Sequence, residues 1–422
     1  MSALLVGMLA VGIFSALDAA SARTGAIKSR AIAANVAQAD LERLRAMSIT
    51  DVSNRRDNYT KTVGGVPFTV VSRADWVTDS SGSASCSSSS AKADYLKISA
   101  TVTWPAMGGI KPVVLTSVIA PPTGSFASNQ GSLAVKVTDA AGNPVVGKGV
   151  NLSGPASFSE TTNDLGCVLW GFLTAGNYTV TLGGGCSDRD GNTPVTKQVS
   201  VVGEAITTVT VDCDTPGSIV AQADTVTRNL SGTLQTAKAS QMRNLTVANS
   251  GLSAPGWKAF GTGTPAAQIT AANLFPFTEQ YAIYSGNCAN QDPRTSPNTG
   301  TAVMQAAPKG GSVGPVTVRQ PAINVDVDRA DDATQISGAT VTATVDTTLT
   351  SGCAGTYTFT TNSNGQIDDP GLPYGYYDLC AHANIGGVTR RVRVADVANT
   401  SPSGTALTRL AVPVTGTTTT CP

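Results

Sequence analysis

Histidine is almost missing from this sequence: His382 is the only one in 422 residues. A Ser-His-Asp or Cys-His nucleophile, or a multi-histidine metal centre, has almost no material to use. Charge is scarce too. Charged residues make up 13%, and 28 basic side chains balance 28 acidic ones. That excludes a nucleic-acid binder working through a basic field, and no acidic or basic tail is present. The eight cysteines contain no C-x-x-C pair, which disfavours structural zinc and thioredoxin chemistry. G-x-S-x-G, P-loop and H-E-x-x-H motifs are all missing. Paired carboxylates need no fixed spacing, but nothing singles out such a pair. The chain reads as a non-enzyme with no cofactor.

What is abundant points to β-structure. Hydrophobic residues reach 41%, enough for several cores, and Gly 43 and Pro 22 suit short strands joined by tight turns. Eight cysteines scattered through strand-rich sequence imply disulfides and an oxidising compartment. Cys353 and Cys380 flank one repeat unit and are expected to pair. One pair is expected among Cys167, Cys186 and Cys213, with the third joining Cys86, Cys288 or Cys421. Asn58, Asn151, Asn177, Asn229, Asn244 and Asn399 begin N-x-S/T triplets, which arise by chance in a Thr-rich chain.

The opening stretch, Ala3 to Leu17, is uncharged and apolar: Leu4, Leu5, Val6, Leu9, Val11, Ile13, Phe14 and Leu17 form its greasy surface. It is short of the ~20 residues of a comfortable membrane span. Ala20-Ser21-Ala22 would suit a secretory signal peptide, but no Lys or Arg precedes the apolar run. Beyond it, Ile27, Ala31, Ala34, Leu41, Leu44 and Met47 recur at helical spacing, with Asp40, Glu42, Arg43 and Arg45 mostly off that stripe. One helix from about Ala3 to Met47 would be ~65–70 Å long.

This stretch, and Gln38-Ala39-Asp40-Leu41-Glu42-Arg43-Leu44-Arg45-Ala46-Met47 above all, resembles the N-terminal helix of type IV pilins and type II secretion pseudopilins, minor pilins in particular. The family's Gly-Phe processing site and Thr-Leu-x-Glu stretch are not in the sequence, and Met1 falls inside the apolar run. The resemblance implies a greasy half that sits in the membrane before packing in a filament core. It implies Ile27, Leu41, Leu44 and Met47 as the residues that dock the head. Strand candidates follow at Val66 to Val77, Tyr95 to Trp104 and Pro112 to Ala120, and the Ser-rich stretch holding Cys86 lies between the first two.

Past a linker at Pro121 to Gly124, an internal repeat appears. Asn163 and Gly166 precede Gly176 and Tyr178, and Asn362 and Gly365 precede Gly375 and Tyr377, with ten residues from first to second glycine in both copies. The Asn-x-x-Gly piece is a tight turn in which Gly supplies positive φ. The Tyr opens the next strand, where its hydroxyl can cap a turn backbone. The pattern resembles carboxypeptidase-regulatory-like and other transthyretin-like β-sandwich modules. The catalytic peptidase is not part of that resemblance.

Other candidates have bland readings. Asp188-Arg189-Asp190-Gly191-Asn192 resembles the start of a calcium loop, with Asp188, Asp190 and Asn192 as candidate ligands. The late acid such a loop needs falls at Val199, so an exposed Asp-Gly turn is favoured. Asp326, Asp328, Asp331 and Asp332 read as a solvated face. Trp76, Trp104, Trp170 and Trp257 could stack sugars, but core or edge packing is favoured.

The sequence therefore predicts a mainly β protein in five parts: an N-terminal helix (1–48), a pilin-like antiparallel head (49–122), and β-sandwich modules of the immunoglobulin or transthyretin kind over 123–214, 215–319 and 320–422. The expected role is a membrane-anchored, single-pass filament subunit at the cell surface. Its partners would be other pilin subunits, the assembly machinery and a possible glycan or protein ligand. The alternative is a secreted adhesin or carbohydrate-binding protein with an N-terminal export signal.

Overall fold

The computed structural model describes the chain except residues 1, 54, 78–85, 87–94, 108, 122–126, 417–419 and 422, and leaves out the side chains of residues 2–22. Most of the Ser-rich stretch and of the expected linker therefore lies outside the described residues. The chain divides into two compact units, residues 1–184 with 194–211, and residues 185–193 with 212–422. Strands dominate both.

The first unit begins with helix α1, Ser2–Arg45, ~66 Å long at 1.5 Å per residue. A one-turn helix, α2 (Ile49–Val52), follows, capped by the Ser48 side chain accepting from the Asp51 N–H. Four strands, β1 (Arg56–Val63), β2 (Val66–Val77), β3 (Tyr95–Thr103) and β4 (Val113–Ile119), form an antiparallel sheet in sequential order. Strand β1 lies outside the three expected strands. It is an edge strand whose centre is exposed, so it carries no apolar alternation to read. Leu96, Ile98, Ala100 and Val102 of β3 are buried, and α1 packs on β3 and β4.

Among the described side chains of α1, those of the C-terminal part dock. Ala33, Val36, Ala37, Leu41 and Leu44 are buried in the sheet's core, and Met47 packs against its margin. The two alanines let the helix backbone approach the sheet. Ile27, expected to dock the head, is 70% exposed. It lies six residues before Ala33, ~9 Å further along the axis, where the helix has left its own core.

The same unit continues as two sheets. Strands β5 (Gln130–Thr138), β6 (Gly149–Ser153), β7 (Phe158–Thr161), β8 (Cys167–Thr174), β9 (Gly176–Leu182), β10 (Thr196–Val201) and β11 (Ile206–Asp212) form sheets ordered β10-β9-β6-β7 and β11-β5-β8. Leu133, Val135, Val150, Leu152, Tyr178 and Val180 fill the interior.

The second unit holds two pairs of sheets. Strands β12 (Gly217–Val226), β13 (Lys238–Ser240), β14 (Leu245–Ala248), β15 (Trp257–Phe260), β16 (Gln268–Leu274), β17 (Tyr281–Ser285), β18 (Val303–Gln305) and β19 (Ser312–Pro321) form sheets ordered β13-β12-β16, with β19 parallel to β12, and β15-β14-β17-β18. Strands β20 (Val325–Arg329), β21 (Thr340–Val345), β22 (Thr356–Thr360), β23 (Gly375–Ile385), β24 (Val388–Asn399) and β25 (Thr408–Val412) form the last pair. Its sheets run β22-β21-β23-β24 and β20-β25, around one core of Val325, Val327, Val341, Leu379 and Leu410.

The order β24-β23-β21-β22 reproduces β10-β9-β6-β7 strand for strand, and β20 with β25 corresponds to β5 with β11. Two segments with the same turn chemistry have folded the same way.

Candidate functional site

The repeat motif is turn machinery in both copies. Asn163 Oδ1 accepts from the Leu165 and Cys167 N–H groups at 2.9 and 3.0 Å, and Asn362 Oδ1 from those of Asn364 and Gln366 at 2.9 and 3.2 Å. Gly166 and Gly365 both have φ of 69°, and a Cβ on either would sit 2.6 Å from a carbonyl oxygen, that of Val137 or of Val327. Gly176 (φ 151°) and Gly375 (φ 145°) open the next strands. Tyr178 then donates its hydroxyl to the Thr174 carbonyl at 3.0 Å, and Tyr377 to that of Pro373 at 2.8 Å, each four residues back. Both rings are buried.

The same Asx-x-x-Gly turn explains the candidate calcium loop. In Asp188–Asn192, Asp188 Oδ1 accepts from the Asp190 and Asn192 N–H groups, and Oδ2 from the Asn192 side chain. Asp139–Asn143, which has no second acid, makes the same bonds between Asp139 and the Ala141 and Asn143 groups. Asp190 accepts from the Ser253 N–H and hydroxyl at 2.9 and 2.6 Å. The Asp188 carboxylate accepts from the donors of its own turn and Asp190 from Ser253, which is the bonding of an Asx turn.

The cysteines form four disulfides: Cys86–Cys167, Cys186–Cys213, Cys288–Cys353 and Cys380–Cys421. The expected Cys353–Cys380 pair is not made. Cys353 lies beyond Val345, at the end of β21, whereas Cys380 on β23 sits opposite Thr342. Three residues of strand separate those levels, ~10 Å, beyond the ~7 Å that a disulfide spans between Cα atoms. The Cys380–Cys421 bond also removes the one Cys-His-Cys grouping from metal chemistry, although His382 Nε2 lies 3.4 Å from Cys380 Sγ. Burial, with the charge of Arg391, pushes the His382 pKa down, which favours a neutral ring.

The acidic face expected at 326–332 is not fully solvated. Asp328 is buried beneath Arg409, 2.5 Å from its Nε, while Arg329 holds Asp331 at 2.9 Å. Asp328 lies on the strand face opposite Val325 and Val327, and it is buried there because Arg409 of the paired strand β25 covers it.

One buried polar cluster centres on a residue that the helix pattern placed off the buried face. Asp40 is only 2% exposed. Its Oδ1 accepts from Arg43 Nε at 2.9 Å and from the Tyr59 hydroxyl at 2.8 Å, and Oδ2 accepts from the Ser72 hydroxyl at 2.5 Å. Arg43 also donates to Asp57 at 2.8 Å, as does Arg55 at 2.7 Å. Burial pulls the Arg43 pKa down, but the bonds to Asp40 and Asp57 outweigh it and the net direction is up. Burial pushes Asp57 up, and the bonds from Arg55 and Arg43 bring it below the usual carboxylate range. Burial and the Asp40 bond push Tyr59 up. This cluster clamps α1 to β1 and β2. Asp40 lies four residues before Leu44, so one helical face carries both the polar clamp and the apolar seam.

The side chains of Leu4 to Leu17 lie outside the described residues, and among those described no helix is long and apolar enough to cross a membrane. Trp76, Trp104 and Trp170 are buried. Trp257 is half-buried and lines a cleft of 590 Å³ in the second unit, with Arg189, Asp190, Lys258, Phe275 and Tyr281.

No protein-family model matches the chain, and no curated protein matches it. Solved structures give remote similarities. The Bacillus anthracis TIE protein has 12% identity over 84% of this chain and 75% of that one, with a TM-score of 0.19. BcpA, the major pilin subunit of Bacillus cereus, has 10% identity over 68% and 100%, with a TM-score of 0.19. The minor pilin of the Gram-positive pathogen Streptococcus agalactiae has 12% identity over 44% and 94%, with a TM-score of 0.19. At these TM-scores the likeness fixes neither a fold nor a function for this chain.

Proposed function

We propose that the protein is a non-enzymatic structural subunit of a surface filament, of the type IV pilus or pseudopilus kind. The observation that carries the reading is the overshoot of α1: a 44-residue helix whose described side chains pack on its own sheet only from about Ile32 onward. Residues 23–31 have no core beneath them, since Arg23, Thr24, Gly25, Ile27, Lys28, Arg30 and Ala31 are exposed. A helix this long, held at one end by a buried ionic clamp, is built to reach something outside its own domain. In this reading the apolar opening, Leu4 to Leu17, inserts in a membrane before assembly and in a filament core after it. The disulfide-supported β-modules then face outward, where cross-links resist unfolding. The partners are other subunits and the assembly machinery.

Mass spectrometry of the mature N-terminus, with membrane fractionation, tests this. A chain that keeps residues 3–17 and sediments with membranes or filaments is expected. A mature chain beginning near Arg23 would overturn the proposal in favour of a secreted binding protein whose leader is an export signal.

A further inference from the structure

We propose that the cleft beside Trp257 binds a neutral pyranose unit of a glycan. This goes beyond the filament role and does not depend on it. The volume, 590 Å³, falls in the ~300–1,000 Å³ range of small-molecule sites and exceeds the 360 and 190 Å³ of two other clefts. Three of the four tryptophans are 8% exposed or less, and Trp257 alone is half-buried. Below it the floor is closed: Phe275 is buried, and Tyr281 is buried with its hydroxyl donated to the Phe275 carbonyl at 2.8 Å. The floor therefore offers apolar surface, against which the C–H face of a sugar ring can lie.

The rim is polar and comes from separate segments. Asp190 is fixed by its two bonds from Ser253, and its pKa lies below the usual carboxylate range because those bonds and the charge of Lys258 outweigh burial. It is an oriented acceptor. Arg189 is held by Asp212 at 2.5 Å, and Lys258 stands near Asp190. The two cations are matched in number by Asp212 and Asp190, so the rim presents donors and acceptors without a surplus charge. That balance favours hydroxyl groups over an acidic ligand. It also favours a sugar over a proline-rich segment, which has few N–H donors to give Asp190. The turn bearing Asp190 is pressed close to the end of β16: a Cβ at Gly191 would collide with the Asn273 carbonyl oxygen, and Asn273 itself has φ of 56°.

The test uses the full chain on an array carrying neutral tetrasaccharides (cellotetraose, chitotetraose, maltotetraose, mannotetraose), sialylated and uronic-acid glycans, and a proline decapeptide. Binding of at least one neutral glycan is expected, weakened tenfold or more by Trp257→Ala, less than fivefold by Trp257→Phe, and several-fold by Asp190→Asn. The unsubstituted protein gives a second measurement. N-bromosuccinimide should oxidise Trp257 before Trp76, Trp104 and Trp170, and the bound tetrasaccharide should slow that oxidation at least fivefold. Binding confined to acidic glycans or the proline peptide, binding equal in Trp257→Ala, no binding, or oxidation of Trp257 unaffected by glycan would each overturn the assignment.

Discussion

Asp40→Ala removes a carboxylate on which three donors converge, and its consequence can be worked from the structure. The side chain is 2% exposed and accepts from Arg43, Tyr59 and Ser72. A hydrogen bond to a charged acceptor contributes ~1.5–3 kcal/mol, and removing one partner of a buried charged cluster costs ~3–5 kcal/mol because the others are left without compensation. Three bonds do not add, since all converge on one carboxylate, so the expected loss is ~3–5 kcal/mol in docking of α1. Asp40→Asn keeps the shape and some of the bonds and should cost roughly half of that. Glu42→Ala, at an exposed site next to it, should stay within ~0.5 kcal/mol. Two compact units make a single global unfolding energy ill-defined, so hydrogen exchange of the 33–45 segment is the right assay. At ~1.4 kcal/mol per tenfold, exchange there should accelerate ~100-fold or more in Asp40→Ala. An acceleration under threefold would refute the clamp.

The matched turns make a paired prediction. Tyr178→Phe and Tyr377→Phe should each cost ~1–2 kcal/mol, read from hydrogen exchange of β9 and β23, and agree closely because each removes one hydroxyl from one carbonyl. Unequal costs would mean the two copies are not energetically alike. Gly166→Ala and Gly365→Ala should destabilise by more than ~2 kcal/mol, while Gly185→Ala, at φ 87° but with nothing within 4 Å, should cost only ~1 kcal/mol. Replacing Cys288 and Cys353 by Ser opens a loop of 65 residues, against 27 for Cys186 and Cys213. Loop entropy puts the losses at ~4.3 and ~3.6 kcal/mol, and a reversed order in thermal melts would show that native packing at these bonds matters more than chain entropy. Asp57 has a folded pKa below its unfolded one, so its stabilisation is complete above the ordinary carboxylate value and fades as pH falls through the folded value. Melting curves of Asp57→Asn should accordingly lose part of the decline seen below about pH 4, and an identical acid limb in both proteins would refute the coupling.

Local chemistry was readable from residues alone. The Asn-x-x-Gly turns, their positive-φ glycines and the tyrosines that follow recur at fixed spacing because each is closed by bonds within a few residues, and neighbours in sequence are enough to specify them. The long helix was legible for the same reason, and so was the buried alternation of Leu96 to Val102. Other features depended on which distant segments meet. Cys353 pairs with Cys288, not Cys380, because strand register sets their levels. Strands β1 and β18 carry little apolar pattern and exist because a neighbouring strand leaves backbone groups to satisfy. Ile27 and Asp40 reverse their expected places for one physical reason. Helical periodicity tells which residues share a face, but not where along that face a sheet begins, nor that a carboxylate on it will find a serine, a tyrosine and an arginine waiting.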